Sequence, residues 1–282
     1  MTSGTSRLDV ALVERGLARS RGHAHDLVRR GVVLVNDRSV LKASRAVRES
    51  DSIVIRTSAE DALDPRWVSR AAGKLLGALT DLPGGGPTLA DVRAVDVGAC
   101  TGGFTQVLLE RGARHVSAVD VGHGQLAPVL RSDPRVADLS GHNVRDLRVE
   151  KVGGPADIVV ADLSFISLTV VMDRLHDLVK PGGDLLLLVK PQFEVGKGGL
   201  DGRGVARAGA GRRDAVLRVV RIAYDLGLEV CGAVPSRTVG QEGNIEYVLW
   251  LKRPTGAFAL PAWQSVCQII DDMLDRGDGE ES

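Results

Sequence analysis

Apolar residues in the larger, later part of the chain form short runs that are separated by stretches with helical spacing. The short runs predict strands at 93–97, 115–119, 157–161, 184–189, 229–233 and 245–251. The helical spacing predicts helices at 69–80, 103–112, 123–131, 168–178 and 211–226, with an amphipathic helix at 262–276. Because strands and helices alternate, residues 69–282 are predicted to form a doubly wound, Rossmann-like α/β domain.

The first part of the chain has a different pattern. Leu8, Leu12 and Val13 predict a short helix that ends at Gly16, and Ser20 is placed to cap a second helix. Apolar runs at 32–35 and 52–55 predict strands. Residues 1–59 are therefore predicted to form a small α+β domain, and residues 60–68 an interdomain linker.

Charge is distributed unevenly along a chain whose formal net charge is zero. Residues 1–57 contain 11 Arg and Lys against 6 Asp and Glu, so the small domain is basic and the rest is acidic. A basic domain indicates an anionic partner, although a solvated charged surface would have the same composition.

Membrane and metal signals are weak. Residues 1–5 lack the apolar core of a signal peptide, and the longest apolar run, 185–189, is far short of the roughly 20 residues of a membrane helix. The three cysteines are far apart and lack the spacing of a zinc site or a disulfide framework. We expect a cytoplasmic monomer with neither membrane nor metal partner.

A glycine-rich turn follows the first strand of the large domain. The pattern is D-x-G-x-x-x-G-G, and glycine there lets a ligand approach the backbone N–H groups. This spacing suits a dinucleotide pyrophosphate poorly and S-adenosylmethionine (SAM) better, while a purely structural turn is the alternative. The predicted cofactor-binding residues are Asp96, Gly98, Thr101, Gly102, Gly103, Phe104, Asp120, Asp146 and Asp162.

Three charged side chains follow predicted strands, and a fourth, Asp146, follows a polar segment. Asp120 ends the second strand and can accept both ribose hydroxyls, while Asp146 can accept the adenine amino group. Asp162 and Lys190 each end a strand. Because ligands of open α/β sheets bind beyond the carboxyl ends of the strands, Asp162 and Lys190 should face one crevice. A structural ion pair is the alternative.

Several motifs resemble a known family. Together with Lys74 and Glu246, Asp162 and Lys190 resemble the Lys-Asp-Lys-Glu tetrad of the FtsJ-like ribose 2′-O-methyltransferases. R-L-D-x-x-L at 7–12 and V-x-V-N at 33–36 make the first domain similar to the S4 RNA-binding domain. The whole chain resembles the TlyA family through V-S-R-x-x-x-K-L (68–75), A-D-L-S-F-I-S-L (161–168), V-K-P-Q-F-E-V-G-K-G (189–198) and G-N-I-E-Y (243–247).

The resemblance implies a SAM-dependent methyltransferase that acts on the cytidine 2′-OH of ribosomal RNA, in the large-subunit 23S RNA and in some members also in the small-subunit 16S RNA. Its partners would be ribosomal RNA or ribosomal subunits. In the family, loss of the modification is linked to resistance to capreomycin-type antibiotics, and some members carry an older hemolysin label. The RNA contacts would be made by Arg7, Arg19, Arg21 and Lys42.

The tetrad residues Lys74, Asp162, Lys190 and Glu246 would be catalytic. Our hypothesis is that Lys190 is the base for the weakly acidic 2′-OH, that Lys74 is a second cation, and that the two carboxylates orient the amines. The chain departs from the family pattern at Cys100, at Ala71-Ala72 and in the loop 199–213.

Other functions remain open at this point. A non-catalytic RNA-binding or ribosome-assembly protein with a vestigial Rossmann fold would keep the same domains. A nicotinamide-dependent dehydrogenase fits the glycine spacing less well, and a membrane-lytic protein would need a membrane-active segment that is not visible. A cytosine C5 methyltransferase would need a cysteine in the crevice, which neither Cys100 nor Cys231 provides.

Overall fold

A computed structural model describes residues 5–18, 21–29, 33–36, 38–55, 66–202, 204–207, 210–240, 243–256 and 259–278. The chain divides into two compact units, Met1–Ala62 and Leu63–Ser282. Each unit has its own hydrophobic core, so each is described by itself.

The described residues of the first unit form two helices and two small antiparallel sheets. Its elements are β1 (Thr5–Arg7), α1 (Leu8–Glu14), α2 (Arg21–Arg29), β2 (Val33–Val35), β3 (Arg38–Ser39), β4 (Ala46–Arg48) and β5 (Ile53–Ile55). β1 pairs with β4, and β2 lies between β3 and β5. Leu8 and Leu12 pack in the core with Val33 and Val35, as their apolar spacing predicts. Ser20, the predicted cap of the second helix, lies outside the described residues.

The second unit contains the remaining elements. Its strands are β6 (Arg93–Val97), β7 (His115–Asp120), β8 (Val136–Ser140), β9 (Ala156–Ala161), β10 (Val179–Val189), β11 (Glu229–Pro235) and β12 (Tyr247–Lys252). Its helices are α3 (Ala71–Asp81), α4 (Gly103–Glu110), α5 (Pro128–Arg131), α6 (Met172–Leu178), α7 (Pro191–Glu194), α8 (Ala210–Asp225) and α9 (Trp263–Asp278).

The seven strands form one mixed sheet in the order β11-β12-β10-β9-β6-β7-β8. β12 runs antiparallel to both of its neighbours, and the pairs from β10 to β8 are parallel. In β9, Ile158 and Val160 pack in one hydrophobic cluster while Val159 and Ala161 pack in the other. Successive strand residues face opposite sides, so this apolar run is buried against a layer on each side of the sheet.

The sheet reverses its winding direction between β6 and β9. From β6 the chain proceeds to β7 and β8 on one side, and then returns to β9 on the other. Ligands of doubly wound sheets bind in the crevice outside such a switch point. The glycine turn after β6 and Asp162 after β9 both lie at this end of the sheet.

Several elements differ from the sequence prediction: β1, β3, β4 and α7 were not predicted, and three further differences have a clear physical reason. β8 was not predicted, because its side chains are mostly half-exposed and give no buried apolar run. The helix predicted at 123–131 is only Pro128–Arg131, since Gly124 at φ +64° keeps the preceding segment in a turn. β10 begins at Val179 rather than 184, because a register shift carries the Pro-Gly-Gly segment within the strand.

Candidate active site

Four separate elements bring the predicted tetrad together. Lys74 lies in α3, Asp162 directly follows β9, and Lys190 directly follows β10. Glu246 precedes β12, which is antiparallel to β10 with Val189 opposite Tyr247. The start of β12 therefore lies beside the carboxyl end of β10, and this places Glu246 at the same edge as the other three residues.

The four side chains form an alternating chain of charges. Lys190 Nζ lies 2.6 Å from Asp162 Oδ1, Lys74 Nζ lies 3.8 Å from Asp162 Oδ2, and Lys74 Nζ lies 2.6 Å from Glu246 Oε2. The exposed fraction of these side chains is only 2–14%. Charges shielded to this extent are costly unless they are paired, and each one here has an opposite partner.

Two further residues contact Lys190, and a third packs against one of them. Lys190 Nζ donates a hydrogen bond of 2.9 Å to Ser164 Oγ and lies 6.0 Å from the ring centroid of Phe193. The Phe193 ring centroid is 5.4 Å from that of Phe165. Phe165 is 86% exposed and has a φ of +63°. An aromatic side chain this exposed, held in a strained backbone conformation, is typical of a ligand contact rather than of a core residue.

The glycine turn is fixed by packing on three sides. Gly98 has a φ of +85°, and a Cβ there would lie 2.5 Å from the backbone oxygen of Asp162. A Cβ on Gly102 would collide with Leu126 and Leu130, and one on Gly103 would collide with the start of α3. All three glycines are therefore required by the turn itself, whether or not a ligand contacts its backbone.

Two predicted cofactor residues turn their side chains into the core. The Asp96 side chain is fully buried, and its Oδ2 accepts a 2.6 Å hydrogen bond from Thr105 Oγ1. Its Oδ1 has no hydrogen-bond partner among the described residues, and burial raises the pKa of this carboxyl to about 7. The Phe104 side chain packs in the core at 3% exposure. A cofactor in the crevice can reach these two residues only through their backbone.

Asp120, Asp146 and Thr101 stay nearer the surface. Asp120 at the end of β7 accepts hydrogen bonds from the backbone N–H groups of Cys100 (2.9 Å) and Gly122 (2.7 Å), and it is half-buried. Thr101 is half-buried and Asp146 is exposed. Asp146 borders a cavity of about 490 Å³ that is also lined by Arg145, Arg148 and Arg174.

The first unit has a charged cluster around Asp9. The buried Asp9 carboxylate contacts Arg7 Nε at 2.9 Å, Arg21 Nη2 at 2.8 Å and His25 Nε2 at 3.1 Å. The Arg7 and Arg21 guanidinium groups and His25 hold the pKa of Asp9 well below its usual range. Lys42 lines a cavity of about 540 Å³ together with Arg7 and His25. Arg19, also predicted to bind RNA, lies outside the described residues.

Sequence reasoning missed several of these contacts. It assigned no role to Asp9, Ser164 or Gly240, although a Cβ on Gly240 would lie 2.6 Å from Glu246 Cδ. Ser164 had a signal, since it lies within the A-D-L-S-F-I-S-L motif. Nothing in the sequence indicates a role for Gly240, because that role depends on the Glu246 side chain, which the fold brings beside it.

Two sequence families match the chain. FtsJ-like methyltransferase matches residues 67–253, and the S4 domain matches residues 6–53. The chain is 46% identical over 250 residues to the 16S/23S rRNA (cytidine-2′-O)-methyltransferase TlyA of Mycobacterium tuberculosis, covering 89% of this chain and 91% of the relative. It is 32% identical to hemolysin A of Brachyspira hyodysenteriae, covering 86% of this chain and 98% of that protein.

A solved structure is similar over almost the full length. This protein of Streptococcus thermophilus, provisionally described as a hemolysin, has a TM-score of 0.72 and 30% identity, with 99% of each chain covered. Fold and site together define a Rossmann-like methyltransferase. Within that class the chain belongs to the FtsJ-like methyltransferase family, and specifically to its S4-containing TlyA members. No helix in the described ranges has the length and apolar character needed to cross a membrane.

Proposed function

We propose that the protein transfers a methyl group from SAM to the 2′-OH of cytidine in ribosomal RNA. The observation that carries this proposal is the alternating Lys190–Asp162–Lys74–Glu246 chain at the carboxyl edge of the sheet. The TlyA relative of M. tuberculosis, named for cytidine 2′-O-methylation of 16S and 23S rRNA, supports the choice of target.

The crevice suits a cationic cofactor. Asp120 and Asp162 bring carboxylates to the carboxyl ends of β7 and β9, on either side of the glycine turn. SAM carries positive charge at its sulfonium and amino groups, so these acceptors fit it better than they fit a pyrophosphate. Asp120 and the exposed Asp146 would hold the ribose hydroxyls and the adenine amino group.

When bound, SAM supplies an activated methyl group on its sulfonium sulfur, so the protein has to align the acceptor oxygen and remove its proton. In this proposal Lys190 Nζ, in its uncharged form, would accept the 2′-OH proton, so that the oxygen could take the methyl group while the sulfur leaves as an uncharged thioether. Asp162 holds the resulting ammonium, and Lys74 and Glu246 fix the position of Asp162 and complete the charge balance.

The substrate side is supported by two separate features. Arg7, Arg21 and Lys42 of the S4-like unit supply positive charge for RNA phosphates. The exposed Phe165, which contacts Phe193 beside Lys190, is suited to stacking against an unpaired base. We therefore propose ribosomal subunits as the substrate. We also propose, as expected from the sequence and its family resemblance, a cytoplasmic location, a monomer as the working form and greater susceptibility to capreomycin-type antibiotics as the consequence.

The cysteines argue against methylation at cytosine C5. Such a reaction needs a reactive thiolate in the crevice. Burial raises the pKa of the Cys231 thiol to about 12, and it also raises the pKa of Cys100. Neither thiol has the environment of an activated nucleophile.

The proposal is tested with tritiated SAM and unmodified 30S and 50S subunits, supplied separately, with Lys190→Ala as the control. We expect label in the RNA of the 50S subunit, in the 30S subunit as well if both RNAs are targets, and loss of label in the variant. Nucleoside analysis should locate the label in 2′-O-methylcytidine. SAM binding by calorimetry with no label in either subunit would instead favour the non-catalytic RNA-binding alternative.

A further inference from the structure

We propose that Ser164 is a positioning residue that fixes the direction of the Lys190 amine toward the acceptor oxygen. The inference rests on the proposed function and adds to it a residue outside the Lys-Asp-Lys-Glu set. Ser164 Oγ accepts a 2.9 Å hydrogen bond from Lys190 Nζ, while Asp162 Oδ1 holds the same nitrogen at 2.6 Å.

The geometry of an amine gives this second contact its importance. Nζ is tetrahedral and has three directions besides its bond to Cε. One contact, to Asp162 alone, would set the rotation about the Cε–Nζ bond but would leave the lone pair free to take either of the two remaining directions. Two contacts define two directions and so fix the third, along which an uncharged amine holds its lone pair. A base must present that lone pair within hydrogen-bond reach of the proton that it removes.

Ser164 lies on the solvent-exposed side of Lys190. The Lys190 side chain is 8% exposed, whereas Ser164 is exposed. Among the described residues, the charged groups paired in this cluster with Lys190 are Asp162 after β9, Lys74 on α3 beyond Asp162, and Glu246 before β12. Ser164 is therefore an uncharged partner in a charged cluster, and removing its hydroxyl leaves the charge balance unchanged.

The loop that carries Ser164 is tied to the segment that carries Lys190. The buried Glu194 in α7 accepts a 2.9 Å hydrogen bond from the backbone N–H of Leu168 and another from Ser167 Oγ. Glu194 lies four residues after Lys190. The loop after β9 and the segment after β10 are thus held together, so the Ser164 hydroxyl keeps a fixed place relative to the amine.

The test compares Ser164→Ala, Ser164→Thr and Thr80→Ala in the full-length protein. Thr80 on α3 also carries an exposed hydroxyl, which bonds the Leu76 carbonyl oxygen of the same helix, so it controls for the loss of one hydroxyl. In single-turnover methyl transfer, Ser164→Ala should lower the rate at saturating RNA and SAM by about 10- to 100-fold. The RNA and SAM half-saturation concentrations should stay unchanged.

Ser164→Thr keeps the hydroxyl and should restore most of the rate, and Thr80→Ala should behave as wild type. An unchanged rate in Ser164→Ala, a loss confined to half-saturation, or a Thr variant as slow as the Ala variant would each overturn the proposal. The second readout is acetylation of Lys190 by an amine-reactive ester, followed by mass spectrometry with Lys180 as the internal reference.

This reaction needs no RNA, so it separates failure of the positioning role from failure of the proposed function. We expect faster Lys190 acetylation in Ser164→Ala than in wild type, because the amine has lost one of its two partners. Equal acetylation would overturn the positioning role even if wild type methylates RNA. An absence of methylation by wild type would refute the proposed function, and the acetylation result would still decide the contact.

Discussion

Replacing Gly240 with Ala should damage the active site without altering any charged residue. Gly240 is buried, and a Cβ there would lie 2.6 Å from Glu246 Cδ and closer still to Oε1. To reach ordinary contact at 3.4 Å, Cδ must move by about 0.8 Å, whereas Glu246 Oε2 lies only 2.6 Å from Lys74 Nζ. A Glu246 side chain that is 2% exposed has little space for this movement, so the contact with Lys74 should be lost.

The magnitude follows from that contact. A hydrogen bond between charged groups contributes about 1.5–3 kcal/mol, which corresponds to about a 10- to 150-fold loss of rate if it acts fully on the transition state. The assay is methyl transfer to ribosomal subunits at saturating SAM, with thermal unfolding measured in parallel to confirm that the variant is folded.

Gly211→Ala is the matched control, because a Cβ on this helical glycine would meet nothing within 4 Å. It should keep the wild-type rate. The reasoning would be refuted if the Gly240→Ala variant folds and loses no more than about threefold in rate. That loss is well below the one expected from a hydrogen bond between charged groups. Such a result would mean that the backbone at 240 moves and Glu246 does not.

Three other substitutions test the buried carboxyls of Asp96 and Asp9 and the glycine turn at Gly98. Burial raises the pKa of Asp96 from 3.8 to about 7, so its contribution to the free energy of unfolding is complete below pH 3.8 and declines as the pH rises to about 7. Urea unfolding should show Asp96→Asn gaining stability relative to wild type over that same range, with no further gain at higher pH. Asp9 has a lowered pKa, so its contribution to the free energy of unfolding is present at neutral pH and is lost as the pH falls below the ordinary pKa of Asp. Asp9→Asn should therefore increase hydrogen exchange in α2 at pH 7 and remove that pH dependence. Gly98→Ala places a Cβ 2.5 Å from the Asp162 backbone oxygen at a φ of +85°, so it should lower the melting temperature and abolish SAM binding in calorimetry; retention of both would contradict the packing argument.

The central sheet could be predicted from sequence wherever a strand is buried on both faces. The runs at 93–97, 115–119 and 157–161 consist mostly of apolar residues, and the structure places strands there. β8 escaped prediction because an edge strand with half-exposed side chains has no such run. The difference is physical. A strand buried on both faces has a nearly continuous series of apolar residues, whereas a strand exposed on one face has fewer of them and gives a weaker pattern.

The candidate active site could likewise be predicted only in part from the sequence. Lys74, Asp162, Lys190 and Glu246 could be named from motif resemblance, and the fold brings all four together. Asp96 was expected at the cofactor, but its carboxylate turns inward to Thr105. Side-chain direction at a strand end depends on which neighbours fill each face, and those neighbours are distant in sequence.

The order of strands has a consequence for the newly made chain. Of the described strands, β12 is synthesised last, yet it lies between β10 and β11. β11 therefore has no sheet partner among the described strands until Tyr247–Lys252 has followed it, which takes about 1–3 s at typical translation rates. Glu246 directly precedes β12, so it reaches its position in the tetrad when β12 pairs between β10 and β11. A nascent chain consequently cannot assemble the tetrad before β12 pairs with β10 and β11, so the candidate active site and the central sheet are completed together.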